Sequence, residues 1–130
     1  EVHPPILVED TTKLSHEERE RISQALRNSE PTAVLAGGAT ISLHVCRLAE
    51  SVGREVPHDL SVIAFDDPPF MALSRPSMTT IAQPLERMAA TVCDLLAGTA
   101  SVPAGHQTVF HPHLTLRKST AFCAQGSRTS

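Results

Sequence analysis

Apolar positions along this chain fall into two rhythms, short continuous runs and longer stretches with a helical repeat, and the two alternate. "PPILVED" (residues 4–10) predicts a short buried strand. "SHEERERISQALRNSEP" (15–31) predicts a helix: Ser15 and Glu18 form an S-x-x-E capping box, Ile22, Ala25 and Leu26 make an apolar stripe, and Pro31 stands just past the end. "TAVLA" (32–36) is the next strand, closed by Gly37-Gly38. Residues 39–53 follow with Ile41, Val45, Leu48, Ala49 and Val52 at helical spacing and Gly53 as the C-terminal cap. "LSVIAF" (60–65) is near-continuously apolar, as a strand covered on both faces should be. The order βαβαβ therefore predicts a parallel sheet with right-handed crossovers, half of a doubly wound α/β fold.

"SMTTIAQP" (77–84) supplies a short fourth strand. "PLERMAATVCDLLAG" (84–98) reads as an amphipathic helix with Pro84 in its first turn, Leu85, Met88, Ala89, Val92, Leu95 and Leu96 facing inward, and Gly98 at its end. After a Ser/Pro/Gly loop at 99–106, "QTVFHPHLTLR" (107–117) predicts one more strand, broken at Pro112, and residues 121–130 a disordered tail.

Composition narrows the class. The 130 residues are of one-domain size, and 41% apolar content suffices for a core without disulfides or metal. Eleven basic and 14 acidic residues give a net charge of −3, with no basic run longer than Arg117-Lys118, so this segment lacks a patch for neutralising phosphates. Three cysteines, Cys46, Cys93 and Cys123, stand far apart and outside any C-x-x-C pair, which argues against a disulfide framework and a structural zinc site and fits a reducing cytoplasm. No signal peptide or membrane span is expected.

In an open parallel sheet the ligand crevice lies beyond the carboxyl ends of the strands. The three strands before residue 70 end in Asp10-Thr11-Thr12, in Gly37-Gly38 and in Asp66-Asp67, so polar groups and bare backbone gather along one edge. A carboxylate there can accept hydrogen bonds from adjacent hydroxyls or ring N–H groups; equally, the two acids can simply cap the turn that Pro68 and Pro69 enforce. Asp66 is the better ligand candidate of the two. "AGGAT" matches neither nucleotide-binding glycine pattern and reads as a tight turn. A phosphoacceptor site of the receiver type would need a lysine at a later strand end, where neither Lys13 nor Lys118 lies. His111 and His113 alternate without a third ligand nearby, so no metal is expected. No nucleophile constellation can be assembled, which leaves no positive case for catalysis. "PPFMAL" (68–73) is apolar where a loop should be polar, fitting either a segment packed under a helix or a subunit interface.

"PTAVLAGG" at Pro31, "GREVPHDLSVIAFDD" at Gly53, "RPSMTTIAQP" at Arg75 and "LTLRKST" at Leu114 together resemble the C-terminal part of the lactose/galactose-repressor family, over about residues 31–120. The resemblance implies an α/β, Rossmann-like parallel sheet with flanking helices: one lobe of a periplasmic-binding-protein-like fold, plus a helix and strand from the other lobe. Residues 1–82 and 113–120 would form the C-terminal lobe and 83–112 the excursion into the N-terminal lobe. It further implies a small-molecule effector (sugar, polyol or nucleobase) between the lobes, a homodimer, DNA contacted through an N-terminal helix-turn-helix absent from this chain, a cytoplasmic location, and no cofactor, membrane or enzymatic activity.

In such proteins the first acid after the third strand reaches the ligand, matching Asp66. Gln83 and Leu85 match positions on the cleft floor, and Thr12 and Gly38 belong to the same strand-end edge. Many members carry Asn-Asp where this chain has Gly38-Ala39, which weakens the expectation of a sugar and admits a bulkier or more apolar ligand. The family's dimer contacts map onto Ile41, Val45, Phe70, Met71 and Leu73, and the helix at 84–97, which belongs to the N-terminal lobe and stands here without that lobe's sheet, is expected to pack unusually, pair with another chain or be poorly ordered. A secreted or periplasmic solute-binding protein of the same fold is the alternative.

Overall fold

A computed structural model describes residues 4–10, 12–28, 31–103 and 105–122. The first helix, α1 (His16–Arg27), starts where the capping box predicts: the Ser15 hydroxyl accepts the Glu18 N–H at 3.2 Å and the Glu18 carboxylate accepts the Ser15 N–H at 2.7 Å. Its apolar stripe buries Ile22 and Leu26. The other carboxylate oxygen of Glu18 accepts the Glu9 N–H at 2.7 Å, tying down the segment before the helix. That segment is not the expected strand. Residues 4–8 form no strand and have no ladder partner among the described residues, Pro4 and Pro5 bring no N–H, and of Ile6, Leu7 and Val8 only Val8 packs on the core.

A parallel ladder begins with β1 (Ala33–Ala36), continues through α2 (Ala39–Ser51) to β2 (Ser61–Phe65), then through a short helix α3 (Phe70–Leu73) to β3 (Thr79–Ala82). Gly53 follows α2 at φ 79°, the left-handed turn for which glycine is the default residue. "PPFMAL" is thus neither loop nor free patch: α3 drops Met71 into the core while Phe70 and Leu73 stay exposed. After α4 (Leu85–Leu96) the chain returns as β4 (His113–Thr115), antiparallel to β3 with Ala82 opposite His113, giving the sheet order β1-β2-β3-β4. Only these three residues of the expected strand at 107–117 find a partner. Residues 107–112 stay outside the sheet, and Pro112 cannot donate to a ladder.

One face of the sheet carries the core. Val62 and Ala64 of β2 are buried with Ala36 of β1, Ile41, Val45 and Ala49 of α2, Ile22 and Leu26 of α1, and Leu60, Met71 and Met78. Each large side chain taken fully from water contributes about 1.5–3 kcal/mol. Arg54 closes the lower end of this layer, its guanidinium donating to the carbonyls of Leu26, Pro31 and Asp59. Ser119 does the same between the starts of β2 and β3: its hydroxyl donates to the Val62 carbonyl at 2.6 Å and accepts the Thr79 N–H at 2.8 Å.

The opposite face is covered only in part, sealed at Thr79 and open at its two flanks, which corrects the expectation of a strand covered continuously on both faces. Register places Leu35, Ile63 and Thr79 in one row and Phe65, Ile81 and Leu114 in another. Leu35 and Leu114 are exposed, and burial along β2 alternates instead of running continuous. The inward residues expected for α4 are also corrected. The helix forms, yet none of its residues is buried, because among the described residues no element packs closely against its apolar stripe. Of the expected tail, Ala121 is still tied to Ser61 through its N–H, at 3.2 Å from the hydroxyl, and residues 123–130 lie outside the described residues.

Candidate functional site

Because β1, β2 and β3 run parallel, Gly37-Gly38, Asp66-Asp67 and Gln83 all emerge at one edge of the sheet. The antiparallel β4 adds His113 to that edge, opposite Ala82. Asp66 continues the ladder, its N–H donating to the Ile81 carbonyl at 2.9 Å, and then turns the chain with φ 70°. Among the described residues it is the one non-glycine with positive φ, a conformation aspartate tolerates better than most residues but still a strained one. Its Oδ1 accepts the Gln83 side-chain N–H at 2.7 Å; Oδ2 has no hydrogen-bond partner among the described residues.

The turn sends the second acid elsewhere. Asp67 folds back along β3 and accepts both arms of the Arg117 guanidinium, Nη1 at 2.7 Å and Nη2 at 2.8 Å. Both side chains are only 19% exposed. Arg117 also donates to the Met78 carbonyl at 2.8 Å and the Thr80 hydroxyl at 3.3 Å. The guanidinium holds the Asp67 carboxyl below the usual carboxylate range and is itself pushed up by the pairing. The two adjacent acids therefore differ in kind: Asp67 is spent on an internal ion pair, and Asp66 keeps one oxygen free at the edge.

Gly38 is the N-terminal cap of α2 with ordinary extended backbone. A Cβ there would meet only Ile41 Cγ2, at 3.9 Å, so the turn has room for a side chain that this chain does not place. Leu85 is exposed at the first turn of α4, its N–H bonded to the Gln83 carbonyl at 2.9 Å. Thr12 is tied to Asp10, donating to Oδ1 from its N–H at 2.8 Å and its hydroxyl at 2.6 Å. These bonds, the hydroxyl's first, hold Asp10 below the usual carboxylate range. The Thr12 carbonyl accepts His44 Nε2 at 3.3 Å, which anchors the segment to α2 and not to the acid pair. Asp66 and Gln83 are therefore brought into contact and Leu85 is bonded to the main chain of Gln83, whereas among the described residues Thr12 and Gly38 share no hydrogen bond with the pair.

Of the expected interface residues, Ile41, Val45 and Met71 are buried inside this chain and offer no surface to a partner; Met71 is fully covered, its sulfur 3.9 Å from the Ser42 hydroxyl. Phe70 and Leu73 remain exposed. They help line a groove of about 700 Å³ beside α2, with Leu43, Cys46, Arg47 and Arg75, away from the Asp66 edge. Burial pushes the Cys46 thiol there up to about 11, so it stays protonated at neutral pH. Among the described residues no group of three or more His, Cys, Asp and Glu is placed to hold a metal, and no helix is long and apolar enough to cross a membrane.

Sequence reasoning missed Arg117 as the partner of Asp67. A signal existed: the basic pair Arg117-Lys118 just past the last strand, with an acid pair at the end of another strand of the same sheet. The antiparallel β4 carries Arg117 to the starting end of β3, beside Met78, and the pair closes only because Asp67 folds back along β3 to meet it, a turn that residue spacing does not announce.

Residues 2–120 match the model of the periplasmic binding protein-like domain. Over 108 residues the chain is 39% identical to the HTH-type transcriptional regulator MalR of Streptomyces coelicolor, covering 82% of this chain and 31% of that protein. It is 36% identical over 97 residues to the HTH-type transcriptional repressor PurR of Edwardsiella ictaluri, covering 73% of this chain and 28% of that one. Among solved structures, the LacI family transcriptional regulator of Arthrobacter sp. FB24 in complex with lactose superposes with a TM-score of 0.67 at 30% identity, covering 79% of this chain and 40% of that chain. The chain thus spans about a third of the length of the curated relatives it matches. A parallel sheet whose strand ends meet at one edge, matched along nearly its whole length, settles the assignment: the chain belongs to the periplasmic binding protein-like domain family, in the form that lactose/galactose-repressor regulators carry.

Proposed function

We propose that this chain is the effector-sensing and dimerisation part of a bacterial transcription regulator of the repressor type, binding a small molecule with hydroxyl or N–H donors, a sugar before a polyol or nucleobase, at the edge where Asp66 stands. The observation that carries the reading is the Asp66 carboxylate: one oxygen held by Gln83 and the other without a partner among the described residues, a geometry suited to accepting hydrogen bonds from ligand hydroxyls. The lactose-bound Arthrobacter regulator supports a sugar over the other classes, and the helix-turn-helix regulators among the relatives favour a regulator over a solute-binding protein. Residues 1–82 and 113–120 act as one lobe, 83–112 reach into a second, and DNA is contacted through a helix-turn-helix outside this chain. Exposed Phe70 and Leu73, beside the groove against α2, support a homodimer contact at that face. The module has no chemistry of its own, and it works in the cytoplasm.

Effector binding would change operator affinity by contacting two conformations of the regulator unequally. Thermal unfolding of the full-length protein with lactose, sucrose, cellobiose and maltose tests this. A binding sugar at 100 times its Kd adds about 2.7 kcal/mol of stability. That gain disappears in Asp66→Ala while operator binding is retained. A gain that persists in Asp66→Ala, or no gain with any of the four sugars, overturns the sugar-binding role of this edge.

A further inference from the structure

We infer that Arg117 is a positioning residue for the effector site: by gripping Asp67 it fixes the left-handed turn that leaves the Asp66 carboxylate at the sheet edge, an inference that rests on the reading of Asp66 as the effector's ligand. A strained backbone conformation persists only where its surroundings over-determine it. At Asp66 they do so from both sides. Before the turn, the Asp66 N–H is fixed by the Ile81 carbonyl; after it, the Asp67 carboxylate is fixed by two parallel bonds from one guanidinium. A fork of this kind sets orientation as well as distance, which a lysine ammonium, a compact point charge, cannot do.

Arg117 is itself built in. Its guanidinium is held by the Met78 carbonyl and the Thr80 hydroxyl, and its main-chain N–H donates to the Thr79 hydroxyl at 3.0 Å. An unbroken line of bonds therefore runs from β3 through Arg117 and Asp67 to the torsion of Asp66. The neighbouring acids are tied to two points where the chain leaves the sheet: Asp66 to Gln83 just past β3, Asp67 to Arg117 just past β4. Loosening the second tie frees the turn and swings the first acid away from Gln83. Arg117 then governs effector affinity without touching the effector.

Isothermal titration of the full-length protein with lactose, sucrose, cellobiose and maltose tests the inference in wild type, Arg117→Lys, Asp67→Asn, Asp66→Asn and the double variant Asp66→Asn/Arg117→Lys. Arg117→Lys and Asp67→Asn each raise the Kd by roughly 10-fold or more, with circular dichroism reporting a retained fold. In the Asp66→Asn background, adding Arg117→Lys changes the Kd by less than about 2-fold, since the residue through which Arg117 acts has already been lost. A purely structural role would not produce that non-additivity. Unchanged affinity in Arg117→Lys, full additivity in the double variant, or unfolding of both Arg117→Lys and Asp67→Asn sinks the inference while Asp66→Asn still weakens binding. If Asp66→Asn binds like wild type, or no sugar binds wild type, the effector reading itself fails and this inference with it.

Discussion

α2 and α4 are built from the same kind of sequence, 13 and 12 residues with an apolar stripe at helical spacing, yet α2 buries Ile41, Ser42, Val45 and Ala49 and α4 buries nothing. The difference lies in what stands opposite. α2 lies across β1 and β2 and against α1, so its stripe meets a complementary surface. α4 leaves β3 at the edge of the sheet and finds no such surface among the described residues, with Leu85, Val92 and Leu96 exposed. Periodicity names the face a helix would bury, and only topology supplies the body that buries it. The sheet repeats the lesson: Val62 and Ala64 are sealed, while Leu35 and Leu114 on the far face are open.

The largest expected effect contrasts these regions directly. Leu60→Ala removes a fully buried side chain and should cost about 2–5 kcal/mol in urea unfolding, whereas Leu96→Ala should stay within about 0.5 kcal/mol. Equal losses at the two positions would mean that α4 is packed on the body after all, and the contrast would be gone.

A second experiment sharpens the comparison through charge, because the body is tied by an ion pair at its return strand. The folded Asp67 sits below its unfolded value of 3.8, so its contribution is fully present above that pH and is lost as pH falls through the lower, folded value. Stability measured from pH 5 downward should therefore fall, and less steeply in Asp67→Asn. Hydrogen bonds to charged partners of this kind are worth about 1.5–3 kcal/mol. An identical acid limb in Asp67→Asn would remove the pair from the account of what holds the body.

The smallest effect concerns helix ends. α1 carries the full capping box at Ser15, while α4 begins at Pro84 with no side-chain cap. Ser15→Ala should lower global stability by about 1 kcal/mol, read from the urea midpoint. No change would place α1, like α4, outside the cooperative body.

Local signals were legible where the chain satisfies itself. The capping box of α1, the glycine after α2 and the run that became β2 all read directly from residue type and spacing. Signals that depend on a remote partner were not. "PPILV" has strand composition without a strand beside it, Pro112 stands where the last ladder was expected to continue, and Met71, apolar in an apparent loop, turned inward beneath α2. At the candidate site the sequence singled out Asp66 and Gln83, which the fold brings to 2.7 Å, but it could not divide labour between the acids. That division depends on the sign of one backbone torsion and on an arginine fifty positions away.

The antiparallel return of β4 has a consequence for how the chain could be rewired. Ala82 and His113 stand opposite each other in the ladder, so residues 83–112 are, in connectivity, the loop of a β-hairpin grown long. Antiparallel neighbours can be joined by a turn of about two residues. Cutting the excursion out and closing it with such a turn would spare the strand order, the buried layer and the Asp67–Arg117 pair, and would remove Gln83 along with α4. The hairpin is thus a socket: whatever is grafted between its two adjacent ends is automatically delivered next to Asp66.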